Sequence, residues 1–138
     1  MAPFLSEHIS DVWSKYFFSH FNTLFPLLSQ DELKQQDDPL LNFAVFALGA
    51  LYSSFEYHSS LFEKAEYIFN ILTTQYTIST VQALIIMCWY CHLIGDVQKC
   101  GMLRRHLSEA VEWLQLVQDT MHNVEIKRRA YWVAWKPT

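Results

Sequence analysis

The densest group of reactive side chains lies in the run Cys88-Trp89-Tyr90-Cys91-His92. Its spacing is Cys-x-x-Cys-His, in which two thiols form thioether bonds to a haem and the histidine becomes an axial ligand. With Cys100 added, the group offers three sulfurs and one imidazole, a donor set that suits zinc. The competing reading is a buried helix whose small apolar positions happen to be cysteine, and three features favour it. The run sits inside the almost wholly apolar stretch 81–94. Structural zinc knuckles usually lie on turns, whereas here Trp89 and Tyr90 separate two of the thiols. Finally, the opening MAPFLSEHISD has no basic region ahead of a hydrophobic one, so neither a secretory signal nor the export that haem attachment needs is expected. Cys88, Cys91, His92 and Cys100 remain the metal candidates. No cofactor is expected at them, and the thiols are expected to be reduced and intracellular.

Other chemistry is sparse. The histidines at 8, 20, 58, 92, 106 and 122 are dispersed, and none has a nearby Ser and Asp in a recognisable nucleophile setting. No glycine-rich phosphate loop exists, so an enzyme is not expected. The formal net charge of -4 argues against direct nucleic-acid contact, which usually needs a basic stripe to displace counterions. The run Lys127-Arg128-Arg129 suits a short nuclear-entry or anion-binding patch, but a solvated helix face explains it as well. Glu125 and Arg129 have the i,i+4 spacing of an ordinary surface pair, and Arg104-Arg105 are equally ordinary.

The elements that position these residues read as helices throughout. With 51% hydrophobic and 17% charged residues but only 3 Gly and 4 Pro, 138 residues suffice for one helical domain with a sizeable core. Ile9, Val12, Trp13, Tyr16, Phe17 and Phe21 recur at helical spacing over 6–21, with His20 on the same stripe. Pro26 predicts a buried extended link at 24–28. Ser29 and Glu32 have capping-box spacing. Asp38-Pro39 predicts the start of a central helix, apolar on all faces over 40–52 and continuing toward His58, with Gly49 allowing a close crossing. A serine of Ser59-Ser60 is expected to cap the next helix, marked by Leu61, Ala65, Ile68, Phe69 and Leu72.

Ser79 and Gln82 are expected to cap the helix that carries 81–94. Gly95-Asp96 ends it, and a second arm follows with Cys100, Leu103, Leu107, Ala110, Val111 and Leu114 on one stripe. A polar connection at 116–123 leads to a last helix marked by Ile126, Ala130, Val133 and Ala134. No run reaches the ~20 apolar residues of a membrane span. The expected architecture is all-α, with about six to seven helices in antiparallel hairpins around two buried apolar helices. The all-round apolar character of 40–52 and 81–94 places the expected effector pocket between them.

In order along the chain, several segments resemble one family. These are Tyr16-Phe17 leading to Thr23-Leu24-Phe25-Pro26-Leu27-Leu28, then Ala47-Leu48-Gly49-Ala50-Leu51-Tyr52, and Val81-Gln82-Ala83-Leu84. Gly95-Asp96 and Glu125-Ile126-Lys127-Arg128-Arg129-Ala130-Tyr131-Trp132 complete the set. The family is the fungal-specific transcription factor domain, the middle homology region of fungal zinc-cluster transcription factors. The resemblance runs from about Val12 to Trp135. It implies a regulatory domain acting in the nucleus in RNA polymerase II transcription, with a small-molecule effector or a transcriptional partner protein as its ligand.

The family's DNA-binding part is a binuclear zinc cluster with six cysteines, or in some members a pair of zinc fingers, and neither is present in this sequence, which has 3 cysteines. Zinc and DNA contact are therefore expected only in that absent part. The family's domain also continues where Lys136-Pro137-Thr138 closes this sequence, so residues 1–138 are expected to form a single partial domain. The alternative is a helical scaffold or adaptor with no transcriptional role.

Overall fold

Asp38 begins the central helix as its sequence predicts. It is extended (φ -95°, ψ 119°), its carboxylate accepts the Leu40 N–H at 3.1 Å, and Pro39 fills the first helical position, where no N–H is needed. The computed structural model describes residues 7–23, 26–27, 29–53, 56–73 and 75–117. Among them are six α-helices and no strand: α1 (Glu7–Tyr16), α2 (Gln30–Gln36), α3 (Pro39–Tyr52), α4 (His58–Tyr67), α5 (Ile78–Ile94) and α6 (Val97–Val117). A π-helical turn, Phe17–Phe21, extends α1, and a second, Ile68–Leu72, extends α4.

The apolar helices α3 and α5 pack side by side and run parallel. Near their N-termini the Ser79 hydroxyl donates to the Asp38 carboxylate, and toward their other ends Trp89 Nε1 donates to the Tyr52 hydroxyl at 3.0 Å. Around this pair, α1 and α4 lie on α3, and α6 folds back on α5. Trp13, Phe17 and Phe21 of the first helix and its π turn are fully buried, four residues apart. Gly49 lets α1 cross at backbone distance: a Cβ there would stand 1.9 Å from the Trp13 carbonyl oxygen.

The α5–α6 turn also follows its predicted chemistry. Gly95 takes φ +81°, the Asp96 N–H reaches the Cys91 carbonyl at 2.9 Å, and the Asp96 carboxylate accepts the Lys99 N–H at 3.0 Å. The Ser29–Glu32 capping box forms in both directions. The α6 stripe is buried at Leu103, Leu107, Ala110, Val111 and Leu114, with Cys100 half-buried.

Five local expectations change. The cap of α5 is Thr77 with Thr80, not Ser79 with Gln82. Ser79 is drawn to Asp38, and Gln82, fully buried, donates to the Leu27 carbonyl at 3.3 Å. These long-range partners occupy the side chains a local box would have used. Next, α3 ends at Tyr52, where Ser53 hydrogen-bonds back to Ala50 and Gly49.

The third change is at α4, which starts at His58 without a side-chain cap, ahead of both serines. There the His58 ring meets the Tyr90 hydroxyl at 2.6 Å. Fourth, Leu72 leaves the predicted stripe and is exposed beside Ile71. The π turn holds more residues per turn than an α-helix and rotates the apolar face. Fifth, Leu116 and Val117 belong to α6 rather than to a polar connection. In the 24–28 link Leu27 is buried while Pro26 is exposed. Leu24, Phe25 and Leu28, the basic run at 127–129 and the predicted helix at 126–135 lie outside the described residues.

Asp38 serves two helices at once, as cap of α3 and as acceptor for α5. Asp38→Ala is expected to cost about 2 kcal/mol, read from urea unfolding, and Ser79→Ala about 1 kcal/mol.

Candidate functional site

The cysteines lie where α5 meets α6. Cys91 is fully buried, Cys88 and Cys100 are half-buried, and the Cys100 thiol donates to the Cys88 carbonyl across the hairpin at 3.6 Å. Burial, reinforced by the neighbouring Cys100 and Cys91, pushes the Cys88 thiol up to about 12, against a smaller opposing pull from Arg104. Burial, helped by Asp96, likewise pushes Cys91 up to about 12. His92 is exposed and packs against the Trp89 ring at 5.3 Å between centroids. Among the described residues, no group of three or more His, Cys, Asp or Glu is placed to hold a metal ion. The structure thus puts Cys88, Cys91, His92 and Cys100 on one hairpin without converging them on a point.

Thiols held this far above their ordinary range are protonated at neutral pH and are poor nucleophiles. Cys88 and Cys91 are expected to react with iodoacetamide at pH 7.5 about a hundredfold or more slower than after unfolding in urea. Mass spectrometry of the labelled peptides reads this directly. The unfolded chain releases these thiol protons more readily than the native one. The stability they contribute is therefore complete below the unfolded thiol value near 8.5 and declines as pH rises from there toward about 12.

Beside the cysteines, Tyr90 is 2% exposed and stacks on Phe62 at 4.3 Å with the rings 8° apart. Burial first, then the nearby Cys91, Glu63 and Glu66, push its phenol up to about 12. It stays protonated in its hydrogen bond to His58. Lys99 reaches Glu66 at 3.0 Å and stands 5.6 Å above the Phe62 ring. These contacts brace α4 against α5 and α6. The residues are 28 or more positions apart, so no local spacing signals them.

In the α3–α5 seam, Leu48 of α3 and Leu84 and Ile86 of α5 are fully buried. Two open volumes lie on other faces. A groove of 1070 Å³ runs between α1, α2 and α3, with Phe18, Leu33 and Phe46 as apolar surface and Lys15 of α1 and Lys34 of α2 in its lining. A pocket of 340 Å³ lies between the π turn Ile68–Leu72 and α6, lined by Phe69, Asn70, Thr73, Gln75, Tyr76 and His106. At its rim, burial and the Glu109 carboxylate raise the Tyr76 phenol. Glu109 Oε1 lies 3.6 Å from His106 Nδ1. No motif announces either volume, because each combines residues far apart in the sequence. Among the described residues, no helix is long and apolar enough to cross a membrane.

The sequence model of the fungal specific transcription factor domain matches residues 14–136, nearly the whole chain. No curated protein and no solved structure matches.

Proposed function

Because the chain belongs to the fungal specific transcription factor domain family, we propose that it works in the nucleus as the input-sensing part of RNA polymerase II transcription control. The family is a transcription-regulatory one and is not enzymatic. The observation that carries the finer reading is the match over residues 14–136. Six helices among the described residues, with concave surfaces at α1–α2–α3 and at the second π turn, support it. A sensor needs a surface where a small-molecule effector or a partner shifts the balance between states, and a packed α3–α5 core transmits such a shift as a rigid unit. DNA contact and zinc belong to a zinc cluster, which the 3 cysteines of this sequence are too few to build.

The rival reading is a helical adaptor. It draws on the apolar tip of the α5–α6 hairpin, where Leu93, Ile94 and Val97 are exposed. Tethering the chain to a heterologous DNA-binding domain upstream of a reporter separates the two. A several-fold change in reporter output relative to the DNA-binding domain alone is expected. Unchanged output from a fusion that accumulates normally and occupies the promoter would favour the adaptor.

A further inference from the structure

We propose that the pocket between the π turn Ile68–Leu72 and α6 binds a small organic ammonium ion. Its walls combine aromatic rings with oxygen acceptors, and its six lining residues include no lysine or arginine. Phe69 is 9% exposed and stands edge-on to His106 at 5.2 Å; Tyr76 stands edge-on to Trp113 of α6 at 6.4 Å. The faces of such rings attract cations. The Asn70 and Gln75 side chains add amide oxygens. Glu109, one turn along α6 and outside the lining, brings a carboxylate beside Tyr76 and within 3.6 Å of His106 Nδ1.

A basic neighbour on α6, Lys99, shares a smaller adjoining cleft with Phe69 and His106, and it is already engaged. Glu66 holds it at 3.0 Å, and that pair belongs to the α4–α6 brace. An anion entering the pocket would find no lysine or arginine in the lining and the Glu109 carboxylate close by. A wholly apolar ligand would make no use of the polar Asn70 and Gln75 side chains, both of which are exposed. An ammonium ion with a small aromatic or aliphatic body satisfies both halves of the lining, and 340 Å³ suits a ligand of that size.

The π turn supplies two of the lining residues, Phe69 and Asn70. The wider turn sets Phe69 against α6 and leaves Asn70 at the opening. It is closed by Thr73, whose N–H and hydroxyl both reach the Ile68 carbonyl, at 2.9 and 3.0 Å. The α1–α2–α3 groove shows no comparable selection, since Lys15 and Lys34 share it with Asp11 and Asp37.

The ligand class deepens the proposed input-sensing role and rests on it. The test is an NMR titration of the full 138-residue chain with benzylammonium chloride, with benzoate and benzyl alcohol as charge-reversed and neutral controls. Saturable shifts are expected at Asn70, Gln75, Tyr76 and His106, with weaker or no binding of both controls. Glu109→Gln, at an exposed position, should weaken benzylammonium binding about tenfold. Lys34→Gln, in the other groove, should leave it unchanged. Absence of saturable shifts, equal binding of benzoate, or shifts centred on Phe46 and Leu33 would overturn the proposal. The tethered reporter reads the regulatory role separately. Ammonium binding at this pocket with no reporter response supports the site and counts against the sensing role.

Discussion

Gly49→Ala is expected to destabilise the protein by about 3 kcal/mol, measured by urea unfolding with an unchanged m-value. The added Cβ would stand 1.9 Å from the Trp13 carbonyl oxygen and 2.7 Å from its carbon. Those atoms are backbone, so no side-chain rotation relieves the overlap. Helix α1 must move away from α3, which loosens Trp13 and Phe17, both fully buried. Alanine is the better helix former by about 1 kcal/mol, and that gain opposes the clash without matching it. Gly101 provides the control. It lies in α6, and a methyl group added there would meet nothing within 4 Å, so Gly101→Ala should stabilise by up to about 1 kcal/mol. Opposite signs for one substitution at two helical glycines would be the signature of the close crossing. Equal signs would refute it.

Tyr90→Ala is the second large loss, about 4 kcal/mol. It removes a ring that is 2% exposed and stacked on Phe62, and it leaves His58 without its 2.6 Å partner. Tyr90→Phe separates the two contributions. It keeps the stack and removes only the hydroxyl, so a cost of about 1 kcal/mol is expected. If Phe costs as much as Ala, the hydrogen bond to His58 rather than ring packing dominates this junction. The two residues lie at the joint of α4 with α5, whereas Gly49 lies at the joint of α1 with α3, so their effects should add.

Much of the fold is legible in the sequence because its signals are local. Asp38-Pro39, Ser29 with Glu32, and Gly95-Asp96 act through hydrogen bonds and backbone angles a few residues away. Such chemistry reads the same way in a peptide as in the folded chain. The apolar stretches 40–52 and 81–94 indicate a core by being apolar on every face. The cap of α5 does not follow its local spacing, because two side chains fit for a local box are claimed by distant partners. The rotation of Leu72 out of its stripe is hidden for a similar reason. Whether a helix widens into a π turn depends on what packs against it, and the α-helical period expected for α4 does not contain that information.

The candidate sites divide along the same line. Sequence spacing singles out Cys88, Cys91, His92 and Cys100 because it registers residue type without burial. The fold turns three of them into hairpin packing and leaves His92 at the surface. The pocket lined by Tyr76 and His106 has no sequence signal, because its residues share no motif and His106 joins the 69–76 segment only when α6 folds back.

Helix identity, the Asp38 and Gly95 boundaries, the two apolar helices and the family to which the chain belongs all follow from the residues alone. Each depends on positions close together in the chain or on the order of short motifs. The parallel pairing of α3 with α5, the contact of Gly49 with Trp13, the His58–Tyr90 bond and the place of the open pocket exist only in the folded arrangement. They depend on which surfaces meet once the apolar faces are buried. That is a property of all the helices packed together, not of any one segment.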